Sequence, residues 1–311
     1  MTPLRTRADR GAIEMLTGWM GEHYFRTFLP SDDDSAPFDV VLNQRDRRAG
    51  ITIGGLGVES GQSGTSTIEE LLTSDVEVGS YVLWVPPGAE IPADEPELSA
   101  FRVRVANGMR GLEANERREV RLPAKLLLAK TGTEGEYVSV TGELSTHWTR
   151  ISEGVDGSFH LDSRALHRLP EEQAELDILI SRVRDRAALL NESERTHVDV
   201  HDYWLVSRLP GDEPAGVTSV GAPPDFNPAD GASIRRLLRQ HISRATEQRQ
   251  EGECDFSVIL LIGAFGHMED EMVTVALRGM NPTSYSTVDL IALVTDGRVR
   301  EILQPRSLPW A

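Results

Sequence analysis

The first part of the chain carries two kinds of hydrophobic pattern in succession. Apolar residues that recur every three or four positions predict an amphipathic helix over residues 8–27, and they are Ile13, Leu16, Met20, Tyr24 and Phe28. Two short apolar runs at 38–43 and 50–55 flank a charged turn, which predicts an antiparallel hairpin that packs against this helix. A short helix at 67–74 and a hydrophobic strand at 80–85 follow. We therefore expect a small α/β unit at the N-terminus.

The pattern changes after residue 88. The segments "FRVRVANG", "REVRLPAKLLLAK" and "EYVSVTGEL" alternate apolar and polar residues with a period of two, as half-buried antiparallel strands do. No segment of residues 89–169 has a clear helical period. This central region is therefore predicted to be β-rich and without a helix.

An α/β pattern returns toward the C-terminus. A helix is predicted over residues 170–192, where an acidic first turn precedes regularly spaced leucines, and a strand is predicted over residues 196–209. The Pro- and Gly-rich segment at 210–232 is predicted to be a loop. A loop of that length is unusual inside a compact domain, so a role in binding is favoured.

The last segment predicts one more helix, a buried strand and a hairpin. The helix covers residues 233–250, with Ser233 as the predicted N-cap and His241 on the apolar face. The buried strand contains "FSVILLIGAF". The hairpin turns at Asp296 and Gly297, where glycine adopts a positive φ without steric cost.

These elements together predict an α/β (mixed α+β) fold in three consecutive parts. The first is an α/β unit at residues 1–88, and the second is the β-rich region at 89–169. The third, at 170–311, contains a linker helix and a C-terminal α/β domain. The length of 311 residues agrees with more than one domain.

The net charge of the chain limits the kinds of molecule that it is expected to bind. The formal net charge is −17, and a surface that neutralises phosphates needs clustered Lys and Arg. We therefore expect a protein partner and no nucleic-acid binding by the isolated chain. The segment at 210–232 is the predicted contact element, with Phe226 between prolines as its apolar anchor.

Residue usage also limits chemistry and location. Lys125 and Lys130 are the only lysines, so a mechanism that needs a lysine has two candidates. Cys254 is the only cysteine, which excludes an intrachain disulfide and a Cys-based zinc site and agrees with a reducing compartment. The chain lacks the apolar core of a secretory signal and any apolar run of about 18 residues that a membrane span needs. We therefore expect a cytoplasmic protein that does not enter a membrane.

Two carboxylates lie at the N-terminal unit. Glu14 is on the predicted first helix and Asp39 is at the start of the hairpin. This order resembles the restriction-endonuclease-like PD-(D/E)XK superfamily over residues 8–86. In that family a helical glutamate and a hairpin aspartate precede an acidic residue and a lysine on the next strand. The resemblance implies that the carboxylates hold Mg²⁺ or Mn²⁺, which polarises the scissile phosphate, while the lysine helps to activate water.

The remaining positions of the motif are not acidic or basic in this chain. Thr52 and Gly54 stand where the acid and the lysine are expected, and Glu59 is the nearest substitute for the acid. A hydroxyl is at best a neutral metal ligand, and glycine has no side chain. The resemblance therefore implies a nuclease-like fold with a degraded active site.

A second candidate for chemistry is the segment His197-Val198-Asp199-Val200-His201. Side chains alternate along a strand, so His197, Asp199 and His201 share one face and could bind Zn²⁺, Mn²⁺ or Fe²⁺. The alternative is an ordinary half-buried strand with a polar outer face. We favour the ordinary strand because adjacent same-face side chains diverge from a single metal ion.

Two functions remain from the sequence. The first is a non-catalytic scaffold or interaction subunit with a degenerate nuclease-like fold, for which no cofactor is expected. Its setting, as the resemblance implies, is a bacterial DNA-processing or anti-phage defence assembly. The second is a metal-dependent phosphodiesterase or nuclease that uses Mg²⁺ or Mn²⁺ with Glu14, Asp39 and Glu59. The missing lysine favours the first.

Overall fold

The structure is a computed structural model. It describes residues 6–31, 36–56, 63–211, 214–222, 230–264, 266–305 and 308. It has a mixed α+β architecture, so the predicted fold class is confirmed. Within these described ranges, no helix is both long and apolar enough to cross a membrane.

The α-helices alternate with strands along most of the chain. The helices are α1 (Arg7–Tyr24), α2 (Ser63–Ser74), α3 (Glu97–Met109), α4 (Trp148–Ser152), α5 (Gln173–Ala188), α6 (Gly231–Glu251) and α7 (Gly266–Arg278). The first six strands are β1 (Leu29–Pro30), β2 (Val40–Gln44), β3 (Arg47–Gly55), β4 (Ser80–Val85), β5 (Arg117–Gly132) and β6 (Glu136–Gly142). The others are β7 (Gly157–Ser163), β8 (Arg195–Arg208), β9 (Gly216–Gly221), β10 (Phe256–Ile262), β11 (Leu290–Thr295) and β12 (Arg298–Leu303).

The chain divides into two compact units that are discontinuous in sequence. The first unit contains residues 1–88, 105–118 and 205–311. The second contains residues 89–104 and 119–204. The division differs from three consecutive segments, because the C-terminal residues join the N-terminal ones in one unit.

The main sheet of the first unit contains the predicted N-terminal hairpin. Its strand order is β1-β2-β3-β10-β11-β12. Strands β2 and β3 pair antiparallel with Val40 opposite Ile51, so the predicted hairpin is confirmed. Strand β10 is parallel to both β3 and β11, and β12 returns antiparallel to β11. The predicted turn at Asp296 and Gly297 is confirmed, with φ of 52° and 69°.

Helices cover both faces of this sheet. Leu16 and Met20 of α1 are fully buried in a cluster with Ile51, Val258 and Leu260. The opposite face packs against α6 and α7, whose apolar side chains form a second cluster with alternate residues of β10 and β11. Since side chains alternate along a strand, α1 and α6 lie on opposite faces of the sheet.

The remaining strands of the first unit add to the cluster around α1. Strand β4 pairs antiparallel with residues 205–208 of β8 and parallel with β9. Val82 and Trp84 of β4 and Val220 of β9 are buried together with α1. Glu69 of α2 accepts a hydrogen bond from the Ser219 backbone N–H at 2.6 Å, which fixes α2 against β9.

The second unit has a core of its own. Strand β7 pairs antiparallel with β5 and parallel with β6. Apolar residues of these strands and of β8 pack against α4 and α5, with Phe159, Leu126 and Val183 almost or fully inaccessible. The helix predicted at 170–192 is confirmed as α5.

The central region contains helices, so the prediction of a helix-free region is wrong. The segment "FRVRVANG" lies in α3, where Phe101, Val105 and Met109 are buried. Val103 is exposed on the other side of the helix. Phe101, Val103 and Val105 alternate with polar residues, which resembles a strand. The residues that α3 buries are instead four positions apart, at 101, 105 and 109. Residues 143–152 form a 3₁₀ turn and α4.

The segment 210–232 contains a strand, so the prediction that all of it is a loop is wrong. Strand β9 lies inside it, pairs with β4 along its whole length and is buried from Gly216 to Val220. Its Ser, Thr and Gly residues are typical of a loop. Its strand structure is determined by pairing with β4 and by burial. The N-cap of α6 is Asp230 rather than Ser233, and its side chain accepts from the N–H groups of Ala232 and Ser233.

Candidate functional site

Asp39 lies immediately before β2, where its side chain turns toward β3. Its backbone N–H donates to the Ile51 carbonyl at 3.0 Å. Its Oδ2 atom accepts from the Ile53 backbone N–H at 2.7 Å. The carboxylate therefore joins the start of the hairpin to the second strand.

Helix α6 supplies the other partner of this carboxylate. Arg244 forms an ion pair with Oδ1 of Asp39, and its Nη1 donates to the Ile53 carbonyl at 3.1 Å. The side chain of Asp39 retains 16% of its accessible surface. Both carboxylate oxygens thus accept hydrogen bonds from protein groups, in the place where the family resemblance implies a metal ion.

Thr52, at the position of the expected acid, is held by the same helix. Its side chain is fully buried, and its hydroxyl donates to Oε1 of Gln248 at 2.5 Å. The Gln248 amide nitrogen donates to the Pro37 carbonyl at 2.8 Å. Gln248 therefore joins β3 to the segment before β2 through the oxygen and the nitrogen of its side-chain amide.

Gly54, at the position of the expected lysine, lies under the ring of His241. A Cβ atom at Gly54 would lie 2.5 Å from the imidazole, closer than carbon atoms approach in proteins. The Nε2 atom of His241 lies 3.2 Å from the Gly55 carbonyl oxygen. Any side chain at position 54 would therefore have to displace His241.

The environment of His241 favours its neutral form. Burial lowers the pKa of His241, and the nearby charge of Arg244 lowers it further. The hydrogen bond to Gly55 and the charge of Asp39 oppose this shift only in part. At neutral pH a neutral imidazole donates from Nε2 to the carbonyl oxygen, which agrees with a packing role.

The arrangement offers little to a divalent cation. Mg²⁺ and Mn²⁺ take several oxygen ligands, with carboxylates supplying the charge. Among the described residues of this cluster Asp39 is the single carboxylate, and Arg244 of α6 already neutralises it. Within the described part of the chain, no three His, Cys, Asp or Glu side chains are placed to hold a metal ion.

Glu14 lies in a different layer from Asp39. It is on α1, and its carboxylate contacts the backbone at Gly211, where a Cβ would lie 2.8 Å from Oε1. Asp39 instead contacts α6, on the opposite face of the sheet. The structure therefore does not bring these two carboxylates into one site.

Comparisons of the chain with protein-family models, with curated proteins and with solved structures found no match. We therefore infer the function from the geometry of the chain itself. The resemblance to the PD-(D/E)XK superfamily stays a prediction.

The segment His197–His201 lies on β8 in the second unit. His197 and Asp199 are exposed beside α5, and His201 is half-buried. Burial lowers the pKa of His201, followed by the positive charges of Arg121, Arg182 and Arg104. No three His, Cys, Asp or Glu side chains of the described residues are placed there to hold a metal ion, so the ordinary-strand interpretation remains the favoured one. The metal site stays a prediction.

Two predicted residues lie outside the described part of the chain. Glu59 is within residues 57–62, and Phe226 is within residues 223–229. Their predicted roles, as an acidic ligand and as a partner contact, stay predictions.

The residues that decide the site were not among the sequence-based candidates. His241, Arg244 and Gln248 are spaced by three and four on α6, so they project from one side of that helix. The sequence signal that could have indicated these residues is a polar stripe beside the apolar face of α6, with His241 at the border of the two. The pattern could not show that this stripe faces the N-terminal hairpin.

Proposed function

We propose that this protein is a non-catalytic interaction subunit built on a degenerate nuclease-like hairpin, and that it acts in the cytoplasm. The observation that carries the proposal is the occupation of the hairpin by α6. Arg244 neutralises Asp39, Gln248 binds Thr52, and His241 covers Gly54. Side chains of α6 thus contact the three hairpin positions, 39, 52 and 54, where the resemblance implies catalytic groups.

The chemistry of hydrolysis supports the same conclusion. A metal-activated water needs anionic ligands for the metal, and its deprotonation needs a nearby base. The only lysines, Lys125 and Lys130, are on β5 in the second unit. The setting suggested by the family resemblance is a DNA-processing or anti-phage defence assembly in which another chain supplies catalysis.

A cleavage assay tests the proposal. The purified chain, incubated with Mg²⁺ or Mn²⁺ and with single- and double-stranded DNA and RNA, should cleave none above background. Asp39→Ala is the matched control, because cleavage that this variant abolishes would establish the metal-dependent phosphodiesterase instead. Cleavage that persists in Asp39→Ala and survives repeated purification would contradict the non-catalytic assignment as well, and would place the activity at another site of the chain.

A reconstruction variant sharpens this test. Thr52→Glu, Gly54→Lys and His241→Ala together restore the acid and the lysine and remove the ring that blocks position 54. We expect metal-dependent thermal stabilisation in the triple variant and none in the wild type, as a cation that binds the folded state raises its melting temperature. Equal stabilisation of both proteins by Mn²⁺ would contradict the proposal.

A further inference from the structure

A groove of about 740 Å³ lies beside the C-terminal end of α1, in the first unit. Its walls come from the segment that leaves α1, from the edge strand β1 and from the turn after β2. Two large apolar side chains at the groove are exposed to solvent, Phe25 by 85% and Leu29 by 62%. Exposed apolar side chains that cluster at a concave surface are characteristic of interaction sites.

Phe25 has an unfavourable backbone conformation for its residue type. Its φ is 52° and its ψ 45°, in the left-handed region, and its N–H donates to the Gly21 carbonyl. The N–H of Arg26 donates to the same carbonyl at 3.2 Å, so Phe25 stands where a helix of this ending normally has glycine. A phenylalanine adds strain here and gains almost no burial, and such strain is typically retained for function.

The charge of the groove differs from that of the chain. Arg26 and Arg45 line it, and none of the described residues that line it is acidic. Arg45 also has a left-handed φ, of 54°, which directs the two-residue turn between β2 and β3. A chain with a net charge of −17 therefore presents here a local basic and apolar surface.

We propose that this groove binds an acidic segment of a partner protein that inserts a large apolar side chain next to Phe25. Arginine pairs bidentately with carboxylates, and an exposed aromatic ring supplies contact area at low entropic cost. Two arginines match the charge of a short acidic segment better than the dense charge of a nucleic acid. The inference builds on the proposed function, since it names the surface through which such a subunit would bind.

Phe25→Gly is the decisive variant. It removes the aromatic ring and places glycine at a left-handed position, so the fold should lose nothing. We expect its melting temperature to equal or exceed that of the wild type. The matched control is Leu189→Gly, since Leu189 is an exposed apolar residue at the C-terminal end of α5 in the second unit.

Fluorescence anisotropy measures binding of a short labelled peptide in which Asp and Glu flank a Trp–Leu pair. The wild type and Leu189→Gly should bind it alike, and Phe25→Gly should bind about tenfold more weakly. Arg45→Gly, also suited to its positive φ, should weaken binding and reduce its dependence on salt. A peptide with Lys in place of the acids should not bind.

Four outcomes would overturn the proposal. They are equal peptide binding by wild type and Phe25→Gly, a lower melting temperature for Phe25→Gly, stronger binding of an oligo-dT strand than of the acidic peptide, and a dimer in size-exclusion chromatography that Phe25→Gly dissolves. The last would assign the groove to a second copy of the chain. The cleavage assay is separate, so loss of the groove leaves the non-catalytic assignment standing, and detected cleavage leaves the groove standing.

Discussion

Helix α6 forms two arginine–aspartate pairs with the same sheet, and the pairs differ in burial. Arg244 contacts Asp39 near the middle of α6, where the side chains keep 47% and 16% of their accessible surface. Arg249 contacts Asp289 at the C-terminal end, with side chains exposed by 26% and 6% and a separation of 2.7 Å. Asp289 has no place in a catalytic motif, yet like Asp39 it accepts from an arginine of α6 and from a backbone N–H.

The match extends to the backbone. Asp39 accepts from the N–H of Ile53, and Asp289 accepts from the N–H of Ser257 at 2.9 Å. In both pairs the arginine also donates to a main-chain carbonyl, of Ile53 and of Thr287. Each aspartate thus fastens α6 to the end of a strand. Asp39 therefore has the geometry of a residue that anchors α6, although the sequence motif suggested a metal ligand.

The more buried pair, Arg249 with Asp289, should contribute more to stability than the pair at Asp39. Asp289→Ala should lower the free energy of unfolding by about 3 kcal/mol, because it leaves a partly buried arginine without its carboxylate. Asp39→Ala should cost about 1 kcal/mol, since Arg244 can turn to solvent. Urea denaturation measures both. An equal or larger loss in Asp39→Ala would show that burial does not set the difference between the two pairs.

The strands and helices of the first unit were largely accessible from sequence. The helix at 8–27 and the hairpin after it have short-range patterns, because each buries one face that repeats at a fixed period. Strand β9 was not accessible, since its burial comes from pairing with β4, which lies far away in the chain. The composition of residues 216–221 does not indicate which distant strand they pair with.

The candidate site was accessible only in part, for a related reason. Asp39, Thr52 and Gly54 follow from the spacing along the hairpin. Their partners on α6 are nearly two hundred residues away, and the parallel pairing of β3 with β10 brings the helix over the hairpin. The division into units was inaccessible as well, since three of its boundaries fall inside α3, β5 and β8.

The next effect tests whether α6 excludes side chains from the hairpin. Gly54→Ala should lower the free energy of unfolding by about 2 kcal/mol, because the new methyl group would overlap the His241 ring. His241→Ala in the same chain should recover most of this loss. A double-mutant cycle by urea denaturation measures the coupling between the two positions.

Gly18 provides the control for this substitution. It is exposed on α1, and a Cβ built there meets no atom within 4 Å. Gly18→Ala should stabilise the chain by up to about 1 kcal/mol, as alanine favours a helix over glycine. If Gly54→Ala were as harmless as Gly18→Ala, the ring of His241 would not block the position, and the packing argument against a lysine there would fail.

His241 should contribute a small pH dependence to the free energy of unfolding. Burial and Arg244 hold the pKa of His241 below its ordinary value of 6.5 in the folded state. Between the two values the unfolded state binds more protons, so stability falls as the pH drops through 6.5 toward the folded-state pKa.

His147 and His201 also have lowered pKa values, so the contribution of His241 is separated from theirs by comparing variants. The free energy of unfolding of His241→Gln should depend less on pH between about 7.5 and 5.5 than that of the wild type, while His201→Gln should retain the His241 contribution. Identical slopes for wild type and His241→Gln would mean that the imidazole can be protonated in place. The ring would then be solvated in the folded state, and it would cover Gly54 less tightly than the structure indicates.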